Sequence, residues 1–467
     1  MGCLADKWVR SILLLTVLAT IPVSAKPPEK VRGADDRFKA DILVVVAHPD
    51  DEGAVTPYLA RAIYDLHKRV AVVFGTHGGS GANNYGAERA GALTDIREIE
   101  ARQACARLGI TNVWFLDGKD TASQNVLNSL ANWGHGENLE KMVELIRLTR
   151  PDVIITSLPG VFIGENHGDH QATGVIATEA FDLAGSETAF PSQLAGASPK
   201  REVYLEDLNP WQPKKLYFFA DAQDDRQFTG SGPAYSITEV SPSQNKPYWK
   251  LALYAAMTHL TQYPEDIERI SKLSDAEVER LMNDPRQGWW NNPETLIFGK
   301  SHYPSKPTDD VFANLDGKPL ACPVPAPAAK PRGETSVELG GPWGFYKEFR
   351  MAHCLSELPV ATAPEIAIKG GSTLGLPITI RHASKELEIT VNAVLPDGWK
   401  ATSGVGKLRL PAEQRTNLRV EIETPALAEA DLRAAKTETV RVQLEEAGHA
   451  AQTVELKVAL RGSALPQ

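Results

Sequence analysis

The chain is poor in several things, and each shortage removes a class of answer. Only four cysteines occur in 467 residues: Cys3, Cys105, Cys322 and Cys354. Cys3 precedes the first apolar run and is badly placed for lipidation. Cys105 falls in a helical pattern, where a buried, inert thiol is expected. Cys322 and Cys354 lie in a late Pro/Gly-rich region and would be able to bridge in an oxidising compartment, although sequence does not supply the geometry such a bridge needs. Positive charge is also short, with 49 Lys and Arg against 59 Asp and Glu, a net charge of -10. No basic stripe results, so neither nucleic acid nor an anionic membrane surface is expected as a partner. There is no internal repeat of solenoid length. The one sustained hydrophobic run, from Ile12 to about Val23, is too short and wrongly flanked for a stable membrane span.

Lys7 and Arg10 precede that run, and Val23-Ser24-Ala25 follow it ahead of Lys26. Charged, apolar and small residues in this order read as a secretory signal peptide over residues 1–25, cleaved after Ala25, with a secreted or periplasmic product. An uncleaved N-terminal anchor is the alternative. The remaining length and a 42% hydrophobic content suffice for a substantial core, in two domains or one large domain with an appendage.

From Ala40 to about Ala220, apolar strand-like runs at 42–47, 70–75, 113–117, 152–157 and 215–220 alternate with helical patterns around 54–68, 92–108, 137–149 and 171–184. Continuous apolar strands separated by helices indicate a parallel sheet covered on both faces, an α/β, Rossmann-like layer structure. Residues 246–282 read as helical, with Ser274 and Glu277 spaced as in a capping box. The stretch CPVPAPAAKPRG reads as an extended spacer. After about Ala363, segments such as PITIRHA, LEITVNAVL and QTVELKVAL alternate apolar and polar residues at period two, as expected for a small all-β sandwich of immunoglobulin type. The expected division is a signal peptide at 1–25, an α/β domain at 38–310, a Pro/Gly-rich linker at 311–362 and a sandwich at 363–467.

In open α/β sheets, ligands gather beyond the carboxyl ends of the strands. The first strand runs directly into His48, Pro49, Asp50, Asp51 and Glu52. Zinc accepts imidazole and carboxylate donors, and a catalytic zinc site keeps one position open for water. His48 and Asp51 are spaced to converge on one ion. A third ligand should come from another strand end, and His167, Asp169 and His170 follow the fourth strand. Either stretch alone is more simply a hydrogen-bonded turn; two such stretches, each after an apolar strand, favour a metal site.

AHPDDE after a first strand, with HGDHQATG later, resembles the LmbE/PIG-L family of zinc-dependent N-acetylglucosamine deacetylases, over residues 40–310 in outline. The resemblance implies His48, Asp51 and His170 as zinc ligands. It further implies Asp50 as the general base that takes a proton from water, and His167 as stabiliser of the tetrahedral oxyanion, with Asp169 favouring imidazolium at His167. The family usually has Pro where this chain has Gly168, which widens the backbone choices beside His167. Asp50 also has a plain reading, as an acid that favours a helix dipole.

Substrate contacts are expected from Arg97, which matches in placement a substrate-binding arginine of related deacetylases, and from Asp120, at another loop of the same rim. Their plain readings are an exposed Arg97–Glu100 pair and a DGKD turn. His259 lies in a short H-x-x-Q element resembling one found late in these domains, and is either pocket-lining or simply packed. Trp289 and Trp290 would stack on a sugar or fill a core. The C-terminal segment resembles the immunoglobulin-like modules of secreted carbohydrate-active enzymes, most locally at LPDGW. The expected activity is hydrolytic removal of an acetyl group from an N-acetylated amino sugar in a glycan or glycoconjugate. Alternatives are an amidase acting on a larger acyl group and a carbohydrate-binding protein without turnover. Other divalent metals suit the same ligands.

Overall fold

The computed structural model describes residues 34–160, 167–194, 208–220, 230–284, 289–320, 335–358, 360, 364–382, 386–411, 415–427 and 436–462. The expected signal peptide and the whole CPVPAPAAKPRG spacer, Cys322 included, lie outside these residues.

The chain enters an α/β layer through β1 (Ile42–Val46), and continues through β2 (Val70–Thr76), β3 (Asn112–Gly118), β4 (Val153–Ser157) and β5 (Lys215–Phe219). Its helices are α1 (Thr56–Tyr64), α2 (Gly91–Arg107), α3 (Val126–Trp133), α4 (His135–Thr149) and α5 (Gly168–Leu183). A short pair, β6 (Ala234–Tyr235) with β7 (Glu294–Thr295), flanks α6 (Tyr248–Ala256), α7 (Pro264–Ser271) and α8 (Asp275–Asn283). β8 (Ile297–Ser301) then completes a sheet of order β3-β2-β1-β4-β5-β8. The expected parallel sheet holds for β1 to β5, but the edge strand β8 runs antiparallel to β5. The order reverses direction between β1 and β4, so the loops after these two strands open onto one crevice.

Alternation along β1 divides the interior. Leu43 and Val45 point to one core with α3, α4 and α5, whereas Ile42, Val44 and Val46 point to another with α1, α2 and α6. Burial on both faces is why these strands read as unbroken apolar runs. The expected capping box is present at α8, where Ser274 N donates to the Glu277 carboxylate at 2.8 Å. Cys105 is buried as expected, and burial pushes its thiol pKa up.

The expected linker contains ordered elements: β9 (Ser336–Leu339) and α9 (Gly341–Ala352). Tyr346, Phe349, Leu355 and Leu358 belong to the core beneath α5, while Val337, Leu339 and Trp343 pack on the sandwich core. The remaining strands are β10 (Glu365–Lys369), β11 (Thr373–Arg381), β12 (Leu387–Val394), β13 (Lys400–Ser403), β14 (Gly406–Leu410), β15 (Arg415–Glu423), β16 (Lys436–Glu446) and β17 (Gln452–Arg461). They form two sheets, of order β10-β17-β16-β12-β14 and β13-β15-β11-β9, around one apolar core. No helix among the described residues is long and apolar enough to cross a membrane.

Candidate metal centre

The site begins where β1 ends. His48 comes two residues after the strand and Asp50 has the left-handed backbone values φ 116° and ψ -24°, after which Asp51–Val55 form a 3-10 turn leading into α1. A non-glycine residue at such φ is costly unless its surroundings fix it. Here they do. The Asp50 N–H donates to Glu52 at 3.0 Å, Glu52 is held by His259 Nε2 at 2.7 Å, and Tyr263 Oη donates to Asp50 Oδ2 at 2.6 Å. Gln262 also donates its side-chain amide to the Pro49 carbonyl. Both polar residues of the H-x-x-Q element therefore brace the first motif, and His259 is almost fully buried in doing so.

The second half of the site is the start of α5. Gly174 lies on this helix without room for a side chain, since a Cβ there would sit 2.2 Å from the Ser157 carbonyl oxygen. That close approach brings the helix N-terminus against the end of β4. At the N-cap, His167 Nδ1 accepts the Asp169 N–H at 3.3 Å. An accepting Nδ1 carries no proton, so the network assigns the His167 proton to Nε2.

Three donor groups converge between these halves. His48 Nδ1 lies 3.2 Å from His170 Nε2, and Asp51 straddles the pair, with Oδ2 3.3 Å from His48 Nδ1 and Oδ1 3.3 Å from His170 Nε2. Zinc–ligand bonds of about 2.0–2.2 Å place the corners of a tetrahedral shell about 3.3 Å apart. The spacing of the three groups fits such a shell. Two wider groupings share the cleft, His48 with His167 and His170, and His48 with Asp120 and Asp169, their donor atoms all within 4.8 Å of one another. The tighter trio matches the ligand set implied by the sequence resemblance.

The electrostatics agree with a cation site. Burial disfavours the charged imidazole of His48, but Asp51 and hydrogen bonds to Asp169 and Asp51 outweigh it and raise the pKa to about 10. Burial likewise raises the Asp51 carboxyl, yet His170 and His48 hold it well below the usual range. Asp50 is pushed up to about 6 by burial and by the neighbouring Asp51 charge, against the opposing pull of His259 and Tyr263. A cluster of this sort holds protons where a cation would otherwise sit.

Several expected roles change on contact with the geometry. Asp169 was expected to act on His167, but its Oδ2 is 4.0 Å from His167 Nδ1 and 3.3 Å from His48 Nε2. It is fully buried and takes the Thr121 N–H at 2.8 Å. A carboxylate on the far nitrogen of a ligand imidazole fixes that ring's tautomer and orientation. Arg97 is not the exposed partner of Glu100 that its plain reading expected. It is 6% exposed and donates to the Gly78 and Ala82 carbonyls at 2.7 and 2.9 Å, so its guanidinium underpins the glycine-rich loop. Glu100 instead takes the Thr261 N–H and hydroxyl. Asp120 accepts the Ser80 N–H through Oδ2 at 2.7 Å, while its buried Oδ1 has no hydrogen-bond partner among the described residues. Trp290 donates to the Gly53 carbonyl at 2.7 Å, and Trp289 stands 6.1 Å from the Tyr263 ring, so both tryptophans flank the Asp50 side of the cleft. Sequence reasoning missed Glu52, Thr121 and Tyr263 as supports. Only Glu52 carried a signal, as the last acid of the first motif.

Residues 43–181 match the PIG-L family, described as GlcNAc-PI de-N-acetylase. A 1D-myo-inositol 2-acetamido-2-deoxy-alpha-D-glucopyranoside deacetylase from Frankia casuarinae is 32% identical over 193 residues, 38% of this chain and 57% of that protein. The enzyme of the same description from Thermobifida fusca is 26% identical over 255 residues, 47% of this chain and 82% of its own length. Among solved structures, the N,N'-diacetylchitobiose deacetylase from Pyrococcus horikoshii covers 55% of this chain and 83% of its own at 18% identity, with a TM-score of 0.37. The strand-end motifs at His48–Glu52 and His167–Gly174 both fall inside the matched span, and residues 43–181 of this chain form a PIG-L (LmbE) family domain.

Proposed function

We propose that the protein is a secreted, divalent-metal-dependent hydrolase that removes the acetyl group from an N-acetylated amino sugar in a glycan or glycoconjugate. One observation carries this reading: His48, Asp51 and His170 meet with their donor atoms 3.2–3.3 Å apart, beside an aspartate with no place in that trio. The relatives named above support the sugar class, and the charged, apolar and small residues before Lys26 support secretion. The immunoglobulin-type reading of the C-terminal sandwich belongs to the same proposal.

When bound, a zinc ion would supply an acidified water and a Lewis acid for the amide carbonyl. His48, Asp51 and His170 would hold it, and Asp169 would orient His48. Asp50, fixed by Tyr263 and its own backbone N–H, receives the proton of the attacking water. His167 presents Nε2–H to the oxygen that becomes negative as the acetamide turns tetrahedral. Asp120 Oδ1 is left to accept from a sugar hydroxyl.

Acetate release from N-acetylglucosaminyl and N-acetylgalactosaminyl glycans tests the reading. Zinc-loaded protein should release acetate, chelated protein should not, and Asp50→Asn should lose at least about 100-fold in kcat with its metal retained. Product mass separates acetate from a larger acyl fragment. No release from any such glycan by the zinc-loaded protein would overturn the proposal.

A further inference from the structure

We propose that the C-terminal sandwich positions the metal centre of the α/β domain, and that the side chain of Gln124 is the link. The inference rests on the reading that His48, Asp51 and His170 hold a cation. β10 is an edge strand, paired on one side with β17. At Ala367, both backbone groups meet Gln124: its Nε2 donates to the Ala367 carbonyl at 2.8 Å, and the Ala367 N–H donates to its Oε1 at 3.0 Å. One planar side-chain amide thus does what a further strand would do, satisfying the exposed groups of a sheet edge.

Gln124 lies in the irregular turn between β3 and α3, and this turn holds the start of α5. Ser123, its neighbour, accepts the Gly168 N–H at 2.6 Å, and the Thr121 N–H reaches Asp169 Oδ2 at 2.8 Å. Asp169 Oδ2 in turn faces His48 Nε2 at 3.3 Å. A path of hydrogen bonds and backbone therefore runs from the sandwich edge through residues 121–124 to the His48 imidazole on one side of the site and to the first residue of α5, which carries His170, on the other. Turn backbone without regular partners opens readily, and displacing a reacting group by about 1 Å can lower a rate by about 100-fold. Fixing the turn against a second apolar core restrains both. Gln124 makes its contacts with the sandwich and none with the trio, so it is a positioning residue.

The full-length, zinc-loaded protein carries the test. Gln124→Met keeps the bulk of the side chain and removes both bonds; Ala367→Pro removes the outward N–H from the other partner. Amide deuterium exchange at Thr121 and Gly168 should accelerate about tenfold or more in Gln124→Met while the global unfolding midpoint stays close to wild type. Zinc should pass to a competing chelator faster, and kcat on the acetylated glycan should fall about three- to tenfold with KM changed less. The double variant should be no worse than the more damaged single, because both remove one link. Unchanged exchange and unchanged zinc retention in folded Gln124→Met would overturn the inference, as would additive effects of the two substitutions. If Gln124→Met does not fold, Gln124→Asn, one methylene short of Ala367, takes its place. Failure of both to fold would also overturn it, since a positioning contact leaves the fold standing. If the wild-type protein turns over no acetylated sugar, the hydrolytic reading falls, and exchange and zinc retention still decide this one.

Discussion

Asp50 combines an unfavourable backbone with a chemically demanding place, and the residues that hold it come from far along the chain. The Tyr263 hydroxyl donates to the oxygen Oδ2, while Glu52 and His259 fix the backbone. Removing the phenolic hydroxyl frees the carboxylate to rotate but leaves His48, Asp51 and His170 in place. Tyr263→Phe should lower kcat about five- to tenfold, the equivalent of about one ordinary net hydrogen bond, with zinc content unchanged. Steady-state kinetics beside metal analysis checks this, and an unaltered kcat would show that Tyr263 does not orient the base. The convergence of His48, Asp51 and His170 was legible in the sequence because candidate donor residues cluster at strand ends, where an apolar run stops abruptly. Tyr263 was not, because no local pattern marks a tyrosine that reaches across 213 positions to its partner. The anchoring of Arg97 was hidden for a related reason: its partners are carbonyls of a loop, and carbonyls leave no mark on a sequence.

Elements carry the next set of consequences. Proline is normally well accepted in the first turn of a helix, and the family motif usually has it where α5 begins. In this chain Gly168 donates its N–H to Ser123, and a Cβ would lie 2.7 Å from Ser129 Oγ and 3.0 Å from the Ser123 and Asn125 carbonyl oxygens. Gly168→Pro should therefore destabilise by roughly 2–4 kcal/mol, from a lost hydrogen bond and overpacking. Urea denaturation measures this, and a neutral or stabilising result would contradict the close seating of α5. A second consequence sits at α1, where buried Glu294 accepts the Tyr58 N–H at 3.0 Å and its Oε1 has no partner among the described residues. Burial raises its pKa from 4.5 to about 8, against the pull of the Tyr58 N–H and Arg61. Below pH 4.5 the group is protonated whether the chain is folded or not, and it costs nothing. Between 4.5 and 8 the unfolded chain ionises first, so stability falls as pH rises, and the loss is complete above 8. Glu294→Gln, which keeps an acceptor for Tyr58, should gain on wild type steadily from pH 5 to pH 8, and a pH-independent difference would refute the shift. Of the elements themselves, β1 to β5 were readable because both faces are buried. β8, with Gly299 and Lys300 inside it, and α3, only eight residues long, gave too little periodicity to register.

At the scale of the whole molecule, the stretch expected to be a linker turns out to belong to both cores. The helix α9 places Tyr346 and Phe349 under α5, where the Tyr346 ring lies so close to Gly160 that a Cβ there would be 2.6 Å from it. Immediately before it, β9 pairs with β11 inside the sandwich, and just after it His353 and Lys300 both bind Asp182, at 2.7 and 2.5 Å. Proline and glycine at the start of α9 concealed this helix, since both lie at its first turn, where they are tolerated, and the apolar residues follow. A fragment ending at residue 320 would leave the core without Tyr346, Phe349, Leu355 and Leu358, four large apolar side chains worth roughly 6 kcal/mol or more between them. Domains of this kind are stable by only about 5–15 kcal/mol. The fragment should therefore aggregate or unfold at a much lower temperature than the full chain, although it retains every expected metal ligand. Conversely, the full chain should unfold in one cooperative transition, because α9 and β9 couple the two cores. Calorimetry of both proteins decides the matter: two independent transitions in the full chain, with the fragment matching one of them, would mean that the α/β domain stands alone and that the segment between the cores is a tether after all.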